Sequence, residues 1–320
     1  MNKEFLDLAE QLKSSVSCTV RLNELMSGHT SFKIGGPADI LVLPESIEQL
    51  REVLKVVKET VVPLTLLGNG SNVLVRDKGI RGIVIKLGNM LRHFYEAEDL
   101  LVFGSGYSLA LASYKAMECG KTGMEFAVGI PGSIGGAVYM NAGAYDGEMQ
   151  NIVNCVKVMD LQGNERVLTA EELNFGYRKT SLQNSGLIVT EVTLKMPSGD
   201  KDEIKSKMDD FIVLKCGYSF CKMDDFSHRR ISKQPLEMPS VGSMFKRPPG
   251  YFAGTLIDQA GLKGYTVGGA QISTKHAGFV VNVGGATAAD VLQLIKDVQT
   301  KIKAGVGVEL QPEVLVIGEE

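Results

Sequence analysis

Residues 129–144, GIPGSIGGAVYMNAGA, decide how the rest of the sequence is interpreted. Five of these sixteen residues are glycine, and most of the others are small. Glycine loses more conformational entropy on folding than any other residue, so a purely structural loop rarely contains this many. Because glycine has no Cβ, the backbone can approach a flat ligand closely. The segment therefore predicts a ligand-binding site.

A second glycine-containing segment, GNGSN at residues 68–72, lies between two predicted strands. A loop of this composition can place backbone N–H groups against a pyrophosphate. Glycine and asparagine also dominate tight turns, so composition alone leaves a plain turn as the alternative. Gly104-Ser105-Gly106 follows a strand but lacks the third glycine of the dinucleotide fingerprint, which argues against a Rossmann domain.

Hydrophobic periodicity predicts a mixture of helices and strands. Ser46 with Gln49, and Thr287 with Asp290, form capping-box patterns at the starts of two helices. Gly305 is expected to end the second of these helices. The predicted helices cover residues 5–12, 47–57, 108–119, 202–214 and 288–304, and the predicted strands cover residues 38–44, 63–67, 73–75, 83–85, 100–103, 153–158, 187–194 and 314–317.

The composition indicates an ordinary globular protein of enzyme size. The chain has 320 residues, 44% of them hydrophobic and 22% charged, with a formal net charge of −3. This charge gives no general attraction for nucleic acid or an anionic membrane. The N-terminal residues MNKEFLD are unlike a signal peptide, and no stretch is apolar over a membrane-spanning length, so we expect a cytoplasmic protein. The five cysteines show no metal-type spacing, so we expect reduced thiols and no metal site.

Six motifs together resemble one enzyme family, the UDP-N-acetylenolpyruvoylglucosamine reductases. They occur in the family's order and extend over nearly the whole chain. The interval between the fourth motif and Lys233 is too short for an extra strand unit and Tyr loop, so the chain resembles the shorter, second type of the family. The motifs are HTSFKIGGPA (29–38), the 68–72 segment, the 129–143 segment, FGYRKTS (175–181), PSVGSMFKRP (239–248) and QPEV (311–314).

The resemblance implies an α+β fold class: a two-lobed FAD-binding fold of the vanillyl-alcohol-oxidase type and a separate α+β substrate-binding domain. The first lobe would comprise residues 1–85 joined by the C-terminal strand of residues 305–320. The second lobe would comprise residues 86–199, and the substrate-binding domain residues 200–304. The resemblance also implies non-covalent FAD, NADPH as reductant and UDP-N-acetylglucosamine enolpyruvate as substrate, and we expect a monomer.

The resemblance also assigns ligand-binding residues. Arg247 stands where the family often has Asn, and Gln311 where it often has Glu. These departures would alter contacts around the diphosphate and leave the catalytic residue types in place. The two glycine-rich loops would contact FAD through Gly68, Asn69, Gly70, Ser71, Asn72, Ile130, Pro131, Gly132, Ser133, Gly135, Gly136, Ala142 and Gly143. The nucleotide-sugar would contact Tyr177, Lys233, Arg247 and His276.

Three residues, Arg178, Ser243 and Glu313, match the family's catalytic positions. Hydride from flavin N5 must reach the β-carbon of an enol ether conjugated to a carboxylate, so negative charge accumulates on the carboxylate and the α-carbon. Arg178 is permanently cationic and can present a fork of donors to that carboxylate. Ser243 would give the proton to the α-carbon. Glu313 would hydrogen-bond the developing acid or orient a water molecule or Arg178, and the sequence leaves these alternatives open.

Two other functions remain as alternatives. One is another FAD-linked oxidase of the same superfamily, in which flavin is often attached through His or Cys. His29 is the only histidine near a flavin motif. The other is a non-redox nucleotide-sugar binding protein that has kept the glycine segments. The motifs at 175–181, 239–248 and 311–314 argue against the first, and the three catalytic residue types argue against the second.

Overall fold

The computed structural model describes residues 3–88, 90–215, 235 and 237–320. The chain divides into two units, each made of three separate stretches of sequence. Unit 1 contains Met1–Leu22, Ile40–Asn69 and Gly82–Lys215, and unit 2 contains Asn23–Asp39, Gly70–Arg81 and Cys216–Glu320.

The first core of unit 1 forms around helices α1 (Lys3–Ser15) and α2 (Ile47–Lys58). The Oγ atom of Ser46 accepts a hydrogen bond from the N–H of Gln49 at 3.2 Å, so the predicted start of α2 is confirmed. Buried apolar side chains of both helices pack with those of the neighbouring sheet. That sheet has the order β1 (Thr19–Leu25), β2 (Pro37–Leu43), β5 (Ile80–Lys86) and β3 (Leu64–Leu67), with β3 and β5 parallel.

The second core of unit 1 lies on a five-stranded antiparallel sheet. Helices α3 (Leu109–Glu118) and α4 (Ile134–Tyr139) contribute apolar side chains to this core. Helix α5 (Lys201–Lys215) packs beside it through Ile204 and Met208. The strand order is β11 (Glu165–Thr169), β10 (Val153–Met159), β12 (Ile188–Lys195), β7 (Leu100–Gly104) and β6 (Phe94–Ala97).

Helix α4 lies inside the segment that the sequence indicated as a glycine-rich loop, so this part of the prediction is wrong. The Oγ atom of Ser133 accepts a hydrogen bond from the N–H of Gly136 at 3.3 Å and caps the helix. A Cβ atom on Gly135 would lie only 2.7 Å from the Cβ atom of Ser105. Close packing against the sheet therefore explains this glycine without a ligand, and it overrides the low helix propensity of glycine.

Unit 2 contains a four-stranded antiparallel sheet and two helices, α6 (Ala253–Gln259) and α7 (Ala288–Val306). Their apolar faces share one core with Phe32 and Leu74 from the N-terminal part of the chain. The sheet order is β13 (Ser240–Ser243), β16 (Phe279–Asn282), β15 (Ala270–Ile272) and β14 (Thr266–Val267). The C-terminal strand β17 (Leu315–Ile317) pairs in parallel with β4 (Val73–Val75). The last strand therefore returns to an early part of the chain.

The start of α7 is confirmed, and its predicted end is wrong. Thr287 and Asp290 form the expected capping box. The helix continues past Gly305, and Gly307 takes a left-handed φ of +72° and donates its N–H to the carbonyl oxygen of Lys303. Glycine adopts that conformation without a Cβ clash, and the conformation ends the helix.

Asp77 caps helix α7 from a distant part of the sequence. Its Oδ1 and Oδ2 atoms accept hydrogen bonds from the N–H groups of Ala288 and Ala289 at 2.7 and 2.9 Å. We expect Asp77→Ala to lower the free energy of unfolding by about 1–2 kcal/mol, because two helix donors lose their acceptors. Urea unfolding would measure this loss. Lys78→Ala, a substitution at the exposed neighbouring residue, is the control, and an equal loss in both variants would contradict the assignment.

The mixed α+β class is confirmed. Unit 1 includes α5, so the two units do not coincide with the predicted boundary at residue 200. The two separate cores of unit 1 are compatible with two lobes, and the three-part division stays a prediction. Among the described residues, no helix combines the length and the apolar character needed to span a membrane.

Candidate functional site

The two glycine segments meet within unit 1. A Cβ atom on Gly68 would lie 3.6 Å from the Oγ atom of Ser133, and one on Gly136 would lie 3.3 Å from the same atom. Apart from Gly68 itself and its two neighbours in the chain, no other heavy atom of the described residues lies within 4 Å of that Cβ position. The backbone there is therefore bordered by open space that a larger side chain would occupy. Such an uncovered backbone suits a ligand that approaches closely.

Residues 70–72 of the 68–72 segment belong to unit 2. Gly70 has a φ of +67°, and a Cβ atom there would lie 2.4 Å from the carbonyl oxygen of His29. The carbonyl oxygen of Gly70 accepts the N–H of Ser31 at 3.1 Å. The Nδ2 atom of Asn72 donates to the carbonyl oxygen of Glu313 at 3.2 Å. Residues of the 29–38 and 311–314 motifs therefore fix this part of the segment.

Arg178 occupies a two-residue turn in unit 1. Gly176 and Lys179 exchange backbone hydrogen bonds of 2.9 and 3.0 Å on either side of the turn. Arg178 has a φ of +56°, in the left-handed region that disfavours residues with a Cβ. Its Nη1 atom donates to the carbonyl oxygen of Asn141 at 3.3 Å, and its Nη2 atom donates to that of Gly143 at 2.9 Å. These bonds direct the guanidinium to the end of the glycine-rich segment.

Ser243 and Glu313 lie on adjacent backbone segments of unit 2. The N–H of Glu313 donates to the carbonyl oxygen of Met244 at 2.8 Å, and the N–H of Lys246 donates to that of Gln311 at 2.8 Å. Ser243 is exposed at the end of β13, and Glu313 is half-buried. The structure therefore brings together two predicted catalytic residues from motifs far apart in sequence.

Two of the residues predicted to contact the nucleotide-sugar, Tyr177 and Arg247, are exposed. Tyr177 is 54% exposed and lies in the same turn as Arg178. Arg247 is exposed in unit 2, and its guanidinium carbon lies 4.0 Å from the centre of the Phe252 ring. Lys233 lies outside the described residues.

His276 is half-buried in unit 2. Its Nδ1 atom accepts a hydrogen bond from the N–H of Gly278 at 3.1 Å, so the neutral ring carries its proton on Nε2. Burial lowers the pKa of His276, and the nearby cation of Lys263 acts in the same direction while Asp258 opposes it. The imidazole therefore presents an uncharged N–H donor at neutral pH.

We expect His276 to titrate below its ordinary pKa of about 6.5. Because the folded state then binds fewer protons than the unfolded state, the contribution of His276 to stability is complete above about pH 6.5 and is lost as the pH falls. An NMR titration of the imidazole resonances would measure the pKa. A midpoint at or above 6.5 would contradict the burial argument.

Asn141 is a residue of the site that the sequence motifs did not indicate as a separate functional residue. This side chain is 0% exposed, has a φ of +43° and contacts the Arg178 turn. The sequence feature that could have indicated it is an asparagine between an apolar run and small residues. Asparagine tolerates the left-handed region, so it often lies where the chain turns. In residues 3–88, 90–215 and 237–320, no group of three or more His, Cys, Asp or Glu side chains is arranged to hold a metal ion.

Comparison with known proteins gives two family matches and several similar enzymes. Residues 38–169 match the FAD binding domain, and residues 234–317 match the UDP-N-acetylenolpyruvoylglucosamine reductase, C-terminal domain. A UDP-N-acetylenolpyruvoylglucosamine reductase of Clostridium perfringens (strain SM101 / Type A) is 47% identical over 317 residues, which cover 99% of this chain and 98% of that protein. The reductase of Geobacillus thermodenitrificans is 48% identical over 298 residues, which cover 93% of both proteins.

A solved structure of a reductase with the same name is also similar to this chain. The crystal structure of UDP-N-acetylenolpyruvylglucosamine reductase from Thermus caldophilus superimposes with a TM-score of 0.73 at 35% sequence identity. The aligned region covers 93% of this chain and 98% of that protein. The similarity therefore extends over both units and not only over the glycine-rich segments.

Proposed function

The chain belongs to the family of UDP-N-acetylenolpyruvoylglucosamine reductases, and on this premise we propose that Arg178, Ser243 and Glu313 carry its chemistry. The protein is a FAD-containing oxidoreductase that reduces UDP-N-acetylenolpyruvoylglucosamine in peptidoglycan precursor synthesis, with NADPH as the reductant. The predicted fold class, an FAD-binding region followed by a separate C-terminal domain, is confirmed by the two family matches.

The glycine segments fit FAD. Open space borders the backbone at Gly68, and the end of the second segment lies beside the Arg178 guanidinium. We assign the flavin contacts to the predicted residues of 68–72, 130–136 and 142–143. When bound, FAD supplies a hydride acceptor and donor. The protein's part is to hold the flavin, to orient the enolpyruvyl group and to exclude water around it.

Arg178 stabilises the negative charge that develops on the substrate carboxylate. Its guanidinium is held by the carbonyl oxygens of Asn141 and Gly143, so it needs little reorganisation when the charge appears. Preorganised donors of this kind stabilise a transition state more than the ground state. Tyr177, in the same turn, is proposed to contact the nucleotide-sugar.

Ser243 delivers a proton to the substrate α-carbon, and Glu313 assists on the adjacent segment. The observation that supports this pairing best is the 2.8 Å hydrogen bond from the N–H of Glu313 to the carbonyl oxygen of Met244. A serine hydroxyl is a weak acid in water, so a neighbouring group must supply a new proton to the serine oxygen or stabilise the negative charge left on it. Glu313 is the only acidic residue within the six motifs, which makes it the candidate for this role.

We expect the purified protein to contain FAD that denaturation releases, because nothing in the sequence indicates a covalent attachment residue. The Nε2 atom of His29 lies 3.0 Å from a carboxylate oxygen of Glu24, so this ring nitrogen has a hydrogen-bonding role. Absorption spectra before and after anaerobic NADPH addition test the proposal. Flavin bands that bleach and return on adding the enolpyruvyl substrate would support it. Protein without flavin bands after full flavin supply would revive the non-redox alternative, and flavin that stays attached would revive the oxidase alternative.

Several finer predictions belong to the same proposal. We propose a cytoplasmic monomer that acts on two small molecules and binds neither nucleic acid nor membranes, and the net charge of −3 supports the last part. His276 and Arg247 are proposed contacts of the nucleotide-sugar, on the basis of donor type. Size-exclusion chromatography with light scattering tests the monomer, and a dimer mass would contradict it.

A further inference from the structure

The side chain of Asn141 is fully buried in unit 1 and makes three hydrogen bonds. Its Nδ2 atom donates to the carbonyl oxygen of Gly176 at 3.0 Å and to a carboxylate oxygen of Glu148 at 2.9 Å. Its Oδ1 atom accepts the N–H of Gln150 at 3.0 Å. Buried polar groups are strongly unfavourable when unpaired, so these three bonds fix the amide in one orientation.

Asn141 also contacts the guanidinium of Arg178 through its own backbone. Its carbonyl oxygen accepts from the Nη1 atom of Arg178 at 3.3 Å. Asn141 has a φ of +43°, in the left-handed region, and asparagine tolerates that conformation better than most residues. One residue therefore restrains both the start of the turn, at Gly176, and the charged end of Arg178.

The turn needs such a restraint. Arg178 has a φ of +56°, and a residue with a Cβ keeps this conformation only when its surroundings enforce it. Gln183 provides a second restraint, because its Nε2 atom donates to the carbonyl oxygens of Arg178 and Tyr139 at 3.1 and 3.2 Å. The side chain of Asn141 provides the link from the turn to the half-buried Glu148.

We propose that Asn141 is a positioning residue that acts through Arg178 and holds the guanidinium beside the substrate carboxylate while the enolpyruvyl double bond is reduced. The inference rests on the proposed role of Arg178. Loss of the amide releases Gly176 and lets the turn relax, so the guanidinium moves away from its working position. Only the step in which the enolpyruvyl group receives hydride depends on that position.

Two variants test the proposal. Asn141→Gly keeps the left-handed backbone and removes the side chain, and Asn141→Asp keeps the shape and the Oδ acceptor while removing the Nδ2 donor. We expect flavin content and the rate of flavin reduction by NADPH to stay unchanged. Reoxidation by the enolpyruvyl substrate should slow on the order of 10²-fold, the loss typical of a misplacement of about 1 Å. Ser113→Ala, which removes another buried hydrogen bond of unit 1, should change neither rate.

A double-mutant cycle separates positioning from general structural damage. In an Arg178→Ala background, Asn141→Gly should add almost nothing, because its effect passes through the missing guanidinium. Additive losses, equal slowing of both half-reactions, or normal reoxidation in both Asn141 variants would overturn the inference while leaving Arg178 in its role. If Arg178→Ala alone reoxidises normally, the proposed function of Arg178 fails and the inference fails with it.

Discussion

Ser243→Ala should abolish most of the reoxidation of reduced flavin by the enolpyruvyl substrate while leaving flavin reduction by NADPH intact. A residue that protonates the α-carbon takes no part in moving hydride from NADPH to FAD. Loss of a positioned proton donor typically lowers the rate by a factor of ~10²–10⁴. Because Ser243 is exposed at the end of β13, its substitution should affect stability little. Stopped-flow absorbance measures both half-reactions in the same preparation.

Two further variants sharpen this experiment. Ser243→Cys keeps a proton-bearing side chain and should recover part of the lost rate. Ser240→Ala makes the same change on the same strand and should leave both rates unchanged. Equal slowing of both half-reactions in Ser243→Ala would indicate a folding or flavin-site defect. Normal reoxidation would assign the proton to another group, with Glu313 the first candidate and Glu313→Gln the next variant.

Arg178→Ala should slow reoxidation by about 10²–10³-fold, the usual cost of removing one preorganised stabiliser of developing charge. Flavin content and flavin reduction by NADPH should stay normal, because the substrate carboxylate is absent from that step. Arg178→Lys should recover only a part, since an ammonium group lacks the planar fork of donors. Separate stopped-flow traces for the two half-reactions give the measurement.

The left-handed φ of Arg178 requires its own control. Alanine at this position keeps the unfavourable backbone conformation, whereas glycine relieves it. Similar losses in Arg178→Ala and Arg178→Gly would therefore assign the effect to the missing guanidinium. Near-normal turnover in both variants would remove Arg178 from the mechanism. A loss in the alanine variant alone would assign the effect to the backbone of the turn.

Local sequence patterns predicted helices and strands correctly where a single pattern, such as a capping box, marks the element. The capping residues Ser46 and Thr287 marked two helix starts correctly, because the cap and the helix lie within four residues of each other. The predicted end of α7 is wrong because Gly305 and Gly307 are both glycines and the sequence does not distinguish them. Only Gly307 takes the left-handed conformation that ends the helix. Helix α4 was missed because its glycines disfavour a helix until packing against Ser105 compensates.

The order of six motifs identified the family and the residue types of the site, because a motif is a local property that the sequence carries by itself. Which motifs touch is a different property. The bond from Glu313 to Met244, the approach of Gly68 to Ser133 and the hold of Asn141 on Gly176 each join residues distant in sequence. Such contacts depend on the packing of whole strands and helices, which local propensity does not encode. The sequence by itself therefore determined the family and indicated the residues that we propose for the chemistry, and only the tertiary structure decided which residues hold them in place.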